Sequence, residues 1–269
     1  MMLQQFWQYY KQADTQYSIH SPFVFQLLQE VLVSNKTYGD FVPLEHLRFR
    51  LQHNTTELQV TDLGAGSRVD KGQTRSIKSI AKNAVSPKWQ CQFLFRLIDW
   101  LQPQNRLEIG TSLGVNTLYQ YLPIRQSPLI TLEGCPNIGA VAQKHFEQLK
   151  ATNIKLKIGD FTDTLPQALE QLGRLDYVLI DGNHQKQPTI DYFEQCLAYS
   201  HNDTILVLDD IHWSEEMQSA WQTIKQHSKV TLTLDFFYFG LVFLRQEQKE
   251  VEHFSIIPTK YKPWKVALL

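Results

Sequence analysis

The chain has 269 residues, 43% of them hydrophobic, enough for one large domain with a sizeable core or a domain with an extension. Its 26 basic and 27 acidic residues leave a net charge of -1, which gives no global reason to expect nucleic acid or an anionic membrane as partner. Cys91, Cys135 and Cys196 are far apart and form no C-x-x-C pair, so neither a disulfide framework nor a zinc knuckle is expected and a reducing, cytoplasmic setting suits the chain. The start, MMLQQFWQYYKQ, lacks the basic and apolar regions of a signal peptide, and nowhere do eighteen apolar residues run together, so no membrane span is expected.

Residues 1–100 read as an N-terminal helical cap and lid region, residues 101–269 as the core. Within the first part SPFVFQLLQEVLV places Ser21 and Pro22 at a helix start, and the same HSPF segment, His20 to Phe23, could fold over a substrate. DLGAGS at 62–67 is preceded by polar TTELQV and followed by Arg68, Lys71, Arg75, Lys78 and Lys82. It reads as a loop. The basic run fits a solvated helix face, or a lid that favours an acidic acceptor. In KWQCQFLFRLIDWL, the residues Trp89, Phe93, Leu97, Trp100 and Leu101 fall on one helical face.

Beyond Pro103 short β-like runs alternate with helical stretches: RLEIG, PLITLEG, IKLKIGD, LDYVLIDG and TILVLDD. Such alternation requires crossover connections and a parallel sheet. The intervening helices carry apolar faces at Leu165, Ala168, Leu169 and Leu172 and at Met217, Ala220, Trp221 and Ile224, the latter opened by Ser214 as N-cap with Glu215 and Glu216 behind it. VTLTLDFF and YFGLVFLR then follow back to back with no room for a crossover, so they pair as an antiparallel hairpin. Five parallel strands and a terminal hairpin predict an α/β, Rossmann-like class I methyltransferase fold, a seven-stranded mostly parallel sheet with an N-terminal helical extension.

Two glycine-rich turns compete for a nucleotide. LEIGTSLGVNTL at 107–118 follows an apolar strand and opens a helix, whereas DLGAGS has no such lead-in. Glu133, at the tip of the next strand, lies 25 positions beyond Glu108, near the roughly 20-residue offset of a ribose-gripping carboxylate. The spacing E-x-G-x-x-x-G differs from the G-x-G-x-x-G of dinucleotide sites and favours S-adenosylmethionine over NAD.

At these motifs the sequence resembles class I S-adenosylmethionine-dependent O-methyltransferases of the catechol and caffeoyl-CoA type. The likeness rests on SPKWQCQFL at 86–94, LEIGTSLGVNTL, LIDGNH and LVLDDIHW, and covers about 85–215. A bacterial group of class I methyltransferases with HSPFVF, DGNH and DDIHW is similar over more of the chain but implies no acceptor. The resemblance implies that Glu108, Gly110, Thr111, Ser112 and Gly114 surround the methionine and ribose part of the cofactor, that Glu133 accepts the ribose hydroxyls, that Asp160 and Phe161 hold adenine, and that Val85 and Ser86 close the methionine end.

Asp181, Asp209 and Asp210 are expected at strand tips, where ligands collect in open α/β sheets. The resembling family gathers a divalent ion there with two Asp and an Asn, and this chain has Asp210 in place of the Asn. The implied metal is Mg²⁺, held by Asp181, Asp209 and Asp210; metal-free methyltransferases also carry acids at these tips. Asp181 would in addition border the cofactor. His184 stands where the family has a lysine base, so Asp181, His184 and Asp210 form the expected catalytic set. Trp213 matches a family tryptophan at the acceptor pocket, and His212 reads as a surface loop residue. The resulting expectation is methyl transfer to a small hydroxylated acceptor. The alternatives are an N- or RNA-directed methyltransferase, a non-catalytic cofactor-fold module, and most distantly a nicotinamide dehydrogenase. A homodimer stays open.

Overall fold

The computed structural model describes residues 2–61 and 72–265. DLGAGS, with Arg68 and Lys71, lies outside the described residues. The first part is helical: α1 (Met2–Gln12), α2 (Pro22–Leu27) running into a π-helical turn, α3 (Phe41–Gln52), then two three-residue strands, β1 (Glu57–Gln59) and β2 (Thr74–Ser76), α4 (Ile77–Asn83) and α5 (Lys88–Leu101). There follow β3 (Arg106–Ile109), α6 (Val115–Tyr121), β4 (Leu129–Glu133), α7 (Pro136–Gln148), β5 (Ile154–Ile158), α8 (Phe161–Leu172), β6 (Leu175–Ile180), α9 (Lys186–Leu197) and β7 (Ser200–Asp209). The chain continues with α10 (Glu215–Lys225), β8 (Leu232–Asp235), β9 (Phe239–Phe243) and β10 (Glu252–Ser255). Among the described residues, no helix is long and apolar enough to cross a membrane.

Two compact units emerge, Lys36–Leu175 and, discontinuous in sequence, Met1–Asn35 with Asp176–Leu269. In the first unit β3, β4 and β5 lie side by side and parallel, with Leu107 opposite Ile130 and Leu132 opposite Lys157. All of β3 and β4 is buried, as a central strand covered on both faces must be. Arg106, fully buried at the start of β3, donates to the carbonyls of Gln120, Ile124 and Ser127 at 2.5, 2.7 and 2.7 Å. It thereby caps the end of α6 and the turn after it, where helix carbonyls lack backbone partners. The helix α5 buries Cys91, Phe93, Leu94, Phe95, Leu97 and Ile98, while Trp89 is 41% exposed. The buried face is therefore rotated from the one expected, because the wide Trp89 ring sits at the rim and small Cys91 inside.

The second unit contributes strands in the order β10-β8-β9-β7-β6. β8 and β9 form the expected antiparallel hairpin, Leu234 opposite Leu241, and β9 runs antiparallel to β7, Leu206 opposite Val242. The main sheet has eight strands in all, one more than the sequence predicts. The addition, β10, pairs parallel with β8 along Glu252–Ser255. Its outer side is in turn met by Asp14, whose N–H donates to Ser255 O at 2.7 Å and whose carbonyl accepts from Ile257 N at 2.9 Å. This backbone cover is one way of protecting a sheet edge. Ser21 caps α2, accepting from Val24 N at 3.5 Å, and Ser214 caps α10, accepting from Met217 N at 3.1 Å. HSPF is thus a helix start. The three cysteines are buried and none of them forms a disulfide.

Candidate active site

The turn after β3 departs from ordinary backbone at three residues: Gly110, Ser112 and Gly114 have φ of 104°, 49° and 77°. A Cβ on Gly114 would stand 2.7 Å from Cε1 of the buried Phe146 ring, so only glycine fits. Gly110 N and Thr111 N both donate to Leu132 O at 3.0 Å, and Thr111 Oγ1 lies 2.5 Å from Thr131 Oγ1, which ties the turn to β4. At the end of β4, Glu133 accepts from Ser112 N at 2.8 Å through one oxygen and from Cys135 N at 2.9 Å through the other. Ser112 Oγ, buried beside this carboxylate's amide partner, has no hydrogen-bond partner among the described residues.

Glu108 behaves differently from its neighbours in the motif. It is wholly buried, accepting from Thr117 Oγ1 at 2.5 Å, Thr131 Oγ1 at 2.6 Å and Gln120 Nε2. Burial pushes its carboxyl up to about 7 against the opposing pull of those three donors. Glu108 braces the turn from beneath. Ser86 is also held from its own unit: its carbonyl accepts from buried Arg48 Nη1 at 2.8 Å and its hydroxyl from Asn116 Nδ2 at 3.4 Å. Val85 packs half-buried against the same core. Arg48 and Asn116 were not singled out from sequence; Asn116 falls inside the glycine motif, and its Oδ1 is buried with no hydrogen-bond partner among the described residues. Asp160 is exposed and caps α8, accepting at 2.8 Å from both Thr162 N and Thr162 Oγ1, bonds that hold its carboxyl below the usual range. Phe161 is the half-buried first residue of that helix.

In the other unit Asp181 follows β6, Asp209 ends β7 and Asp210 follows it with φ of 55°. His184 stands between two of them, Nε2 3.8 Å from Asp181 Oδ1 and Nδ1 3.9 Å from Asp210 Oδ2. The Trp213 ring centre is 5.7 Å from that of His184. Asp209, 7% exposed, instead takes its place in the β7–β9 ladder opposite Phe239. The expected three-carboxylate set for Mg²⁺ gains no support: among the described residues no three His, Cys, Asp or Glu side chains form a group able to hold a metal ion. An imidazole fills the space between Asp181 and Asp210, and the residues as arranged do not fit a metal centre. His212 is corrected, being 8% exposed and bonded through Nε2 to Asp235 Oδ2 at 2.8 Å.

Residues 107–211 match a family described as a methyltransferase domain. The chain is similar in structure to the O-methyltransferase from Bacillus cereus in complex with SAH, with a TM-score of 0.57 and 18% identity over 82% of this chain and 97% of that one. It carries the class I methyltransferase fold. A second structure of this fold is the O-methyltransferase TomG from Streptomyces achromogenes, involved in tomaymycin synthesis and solved with SAM; its TM-score is 0.54 at 20% identity, over 61% of this chain and 82% of that one. In sequence, 132 residues of the methyltransferase-fold chain are 36% identical to a catechol O-methyltransferase of Niastella koreensis, covering 48% of this chain. The match spans 58% of that relative's length, less than two thirds of it.

Proposed function

We propose that the protein is an S-adenosylmethionine-dependent O-methyltransferase acting on a small hydroxylated acceptor. The observation that carries this reading is the Glu133 carboxylate, fixed by Ser112 N and Cys135 N beside a glycine turn where Ser112 Oγ is buried with no hydrogen-bond partner among the described residues. A carboxylate held at a strand tip suits two vicinal ribose hydroxyls, and the left-handed turn beside it lets a ligand approach the backbone. When bound, the cofactor supplies a methyl group on a sulfonium sulfur. Asp160 and Phe161 offer an exposed carboxylate for the amino group and an aromatic ring for the face of adenine, and Ser86 with Asn116 offers polar atoms for the methionine end.

Asp181, His184, Asp210 and Trp213 are read as the residues of the acceptor chemistry. Methyl transfer to oxygen requires alignment and a deprotonated nucleophile more than a covalent intermediate. His184 takes the hydroxyl proton, and Asp181 and Asp210, one at each ring nitrogen, balance the imidazolium charge that results. Trp213 provides an apolar face beside the ring. Because Asp181, Asp209 and Asp210 do not converge as ligands, proton removal is assigned to His184, with no step given to Mg²⁺.

The test is calorimetry with S-adenosylmethionine and with NAD, each with and without Mg²⁺, followed by mass spectrometry of catechol incubated with the protein and the methyl donor. Binding of the methyl donor without Mg²⁺ and a catechol product 14 Da heavier, roughly one CH₂, are expected. Binding of NAD without binding of S-adenosylmethionine refutes the assignment; turnover that EDTA abolishes and Mg²⁺ restores replaces the histidine base by a metal.

A further inference from the structure

The loop that carries Asp210 and Trp213 is anchored by a buried acid the proposed chemistry does not use. Asp235, the last residue of β8 and 6% exposed, accepts from His212 Nε2 at 2.8 Å and Trp221 Nε1 at 3.2 Å through Oδ2, and from Phe237 N at 2.8 Å through Oδ1. One carboxylate thereby joins three segments: the loop between β7 and α10, α10 itself, and the turn of the β8–β9 hairpin. The His212 ring also lies flat against Phe237, 5.1 Å between centres and 12° between planes. Phe237 holds φ of 70°, a conformation a bulky side chain adopts only under such constraint.

Apolar residues of similar volume could fill this space at least as well, since burying a charge and its donors offsets much of what their attraction contributes. What the polar cluster adds is direction. Trp213 N donates to Asp210 O at 2.9 Å, closing a tight turn whose third residue is His212. With His212 fixed on Asp235, the two ends of that turn present Asp210 to one nitrogen of His184 at 3.9 Å and Trp213 to its ring at 5.7 Å. His212 Nδ1 is buried with no hydrogen-bond partner among the described residues.

We propose that the His212–Asp235 pair is a positioning element for the base: it sets the backbone of Asp210 and Trp213 and thereby the surroundings of His184. The inference rests on the reading of His184 as base, yet its structural part can be measured without turnover. In protein labelled with ¹⁵N-histidine, the His184 ring signals are assigned by their loss in His184→Gln and then followed in His212→Leu, His212→Gln and Asp235→Asn. The leucine variant loses the bond to Asp235, and its His184 signals shift or broaden. The glutamine variant can donate to Asp235 from near the position of Nε2, and it restores them.

With S-adenosylmethionine and catechol as probes, His212→Leu lowers kcat at least tenfold while donor Kd stays within twofold, and His212→Gln recovers most of the rate. A folded His212→Leu protein with unchanged His184 signals overturns the proposal. If the leucine variant does not fold, Asp235→Asn decides: it keeps the shape but reverses the polarity toward one donor, and unchanged His184 signals in it overturn the proposal equally. Failure of the parent protein to bind the donor sinks the methyltransferase reading instead, and leaves the ring signals to judge the positioning role alone.

Discussion

Glu108 offers the most quantitative test of the fold beneath the turn. Its carboxyl is wholly buried and is pushed from an ordinary 4.5 to about 7, burial outweighing the three donors that favour the ionised form. At about 1.4 kcal/mol per tenfold change in proton affinity, this corresponds to roughly 3 kcal/mol. The folded chain keeps this proton to higher pH than the unfolded chain, so between pH 4.5 and about 7 it binds more protons. Stability from this group is therefore complete below the unfolded value and is lost as pH rises through the folded one. Glu108→Gln has no proton to lose. The amide it introduces can accept from Gln120 and donate toward the hydroxyls of Thr117 and Thr131, so the variant is expected to fold. Urea unfolding of both proteins at a pH near the lower value and again near pH 8 isolates the effect, since other groups cancel in the difference. The variant should gain about 3 kcal/mol on the parent between the two conditions. A difference constant to within about 0.5 kcal/mol would show that the carboxyl is not held as described.

Gly114→Ala should destabilise the protein by about 1–3 kcal/mol in a thermal melt and weaken donor binding, because its Cβ meets the buried Phe146 ring in a left-handed backbone; an unchanged midpoint and affinity would refute this. Glu133→Gln should cost roughly tenfold to hundredfold in S-adenosylmethionine affinity by calorimetry, the range of a lost hydrogen bond to a charged group, and undiminished affinity would remove Glu133 from the site. Asp210→Ala is expected to cut catechol turnover at least tenfold and leave donor Kd within twofold, so full activity in that variant would take Asp210 out of the mechanism.

What could be read from sequence follows the range of the interactions involved. The strands β3, β4 and β6 to β9 announce themselves as apolar runs because they are covered by core, whereas β5, IKLKI at the sheet edge, shows only alternation, and the Gly110–Gly114 turn is visible because its lead-in strand and following helix are local. β10 carries one large apolar residue, Phe254, and exists through backbone pairing to β8, for which EHFS gives no signal. In α5 the amphipathic pattern gave too much weight to Trp89, whose indole tolerates the surface, and too little to Cys91. Arg48 with Ser86 and His212 with Asp235 are 38 and 23 residues apart, and no local spacing predicts such meetings. The acids at the strand tips illustrate the same limit. Spacing placed Asp181 and Asp210 near one another in function, but only the left-handed backbone of Asp210 and the intervening His184 ring determine which atoms they face.

The interleaving of the Met1–Asn35 segment with Asp176–Leu269 has a consequence for synthesis on the ribosome. Tyr9 and Ala13 pack with Phe237 and Ile257, partners that are translated long after the first helix has emerged. At about 5–20 residues per second the wait is on the order of 10–45 s. During that interval the intervening Lys36–Leu175 stretch is made in full and can begin to collapse, while the aromatic residues of the opening helix await their counterparts. Nascent-chain pulse labelling should find those residues protected only after the last hairpin leaves the exit tunnel.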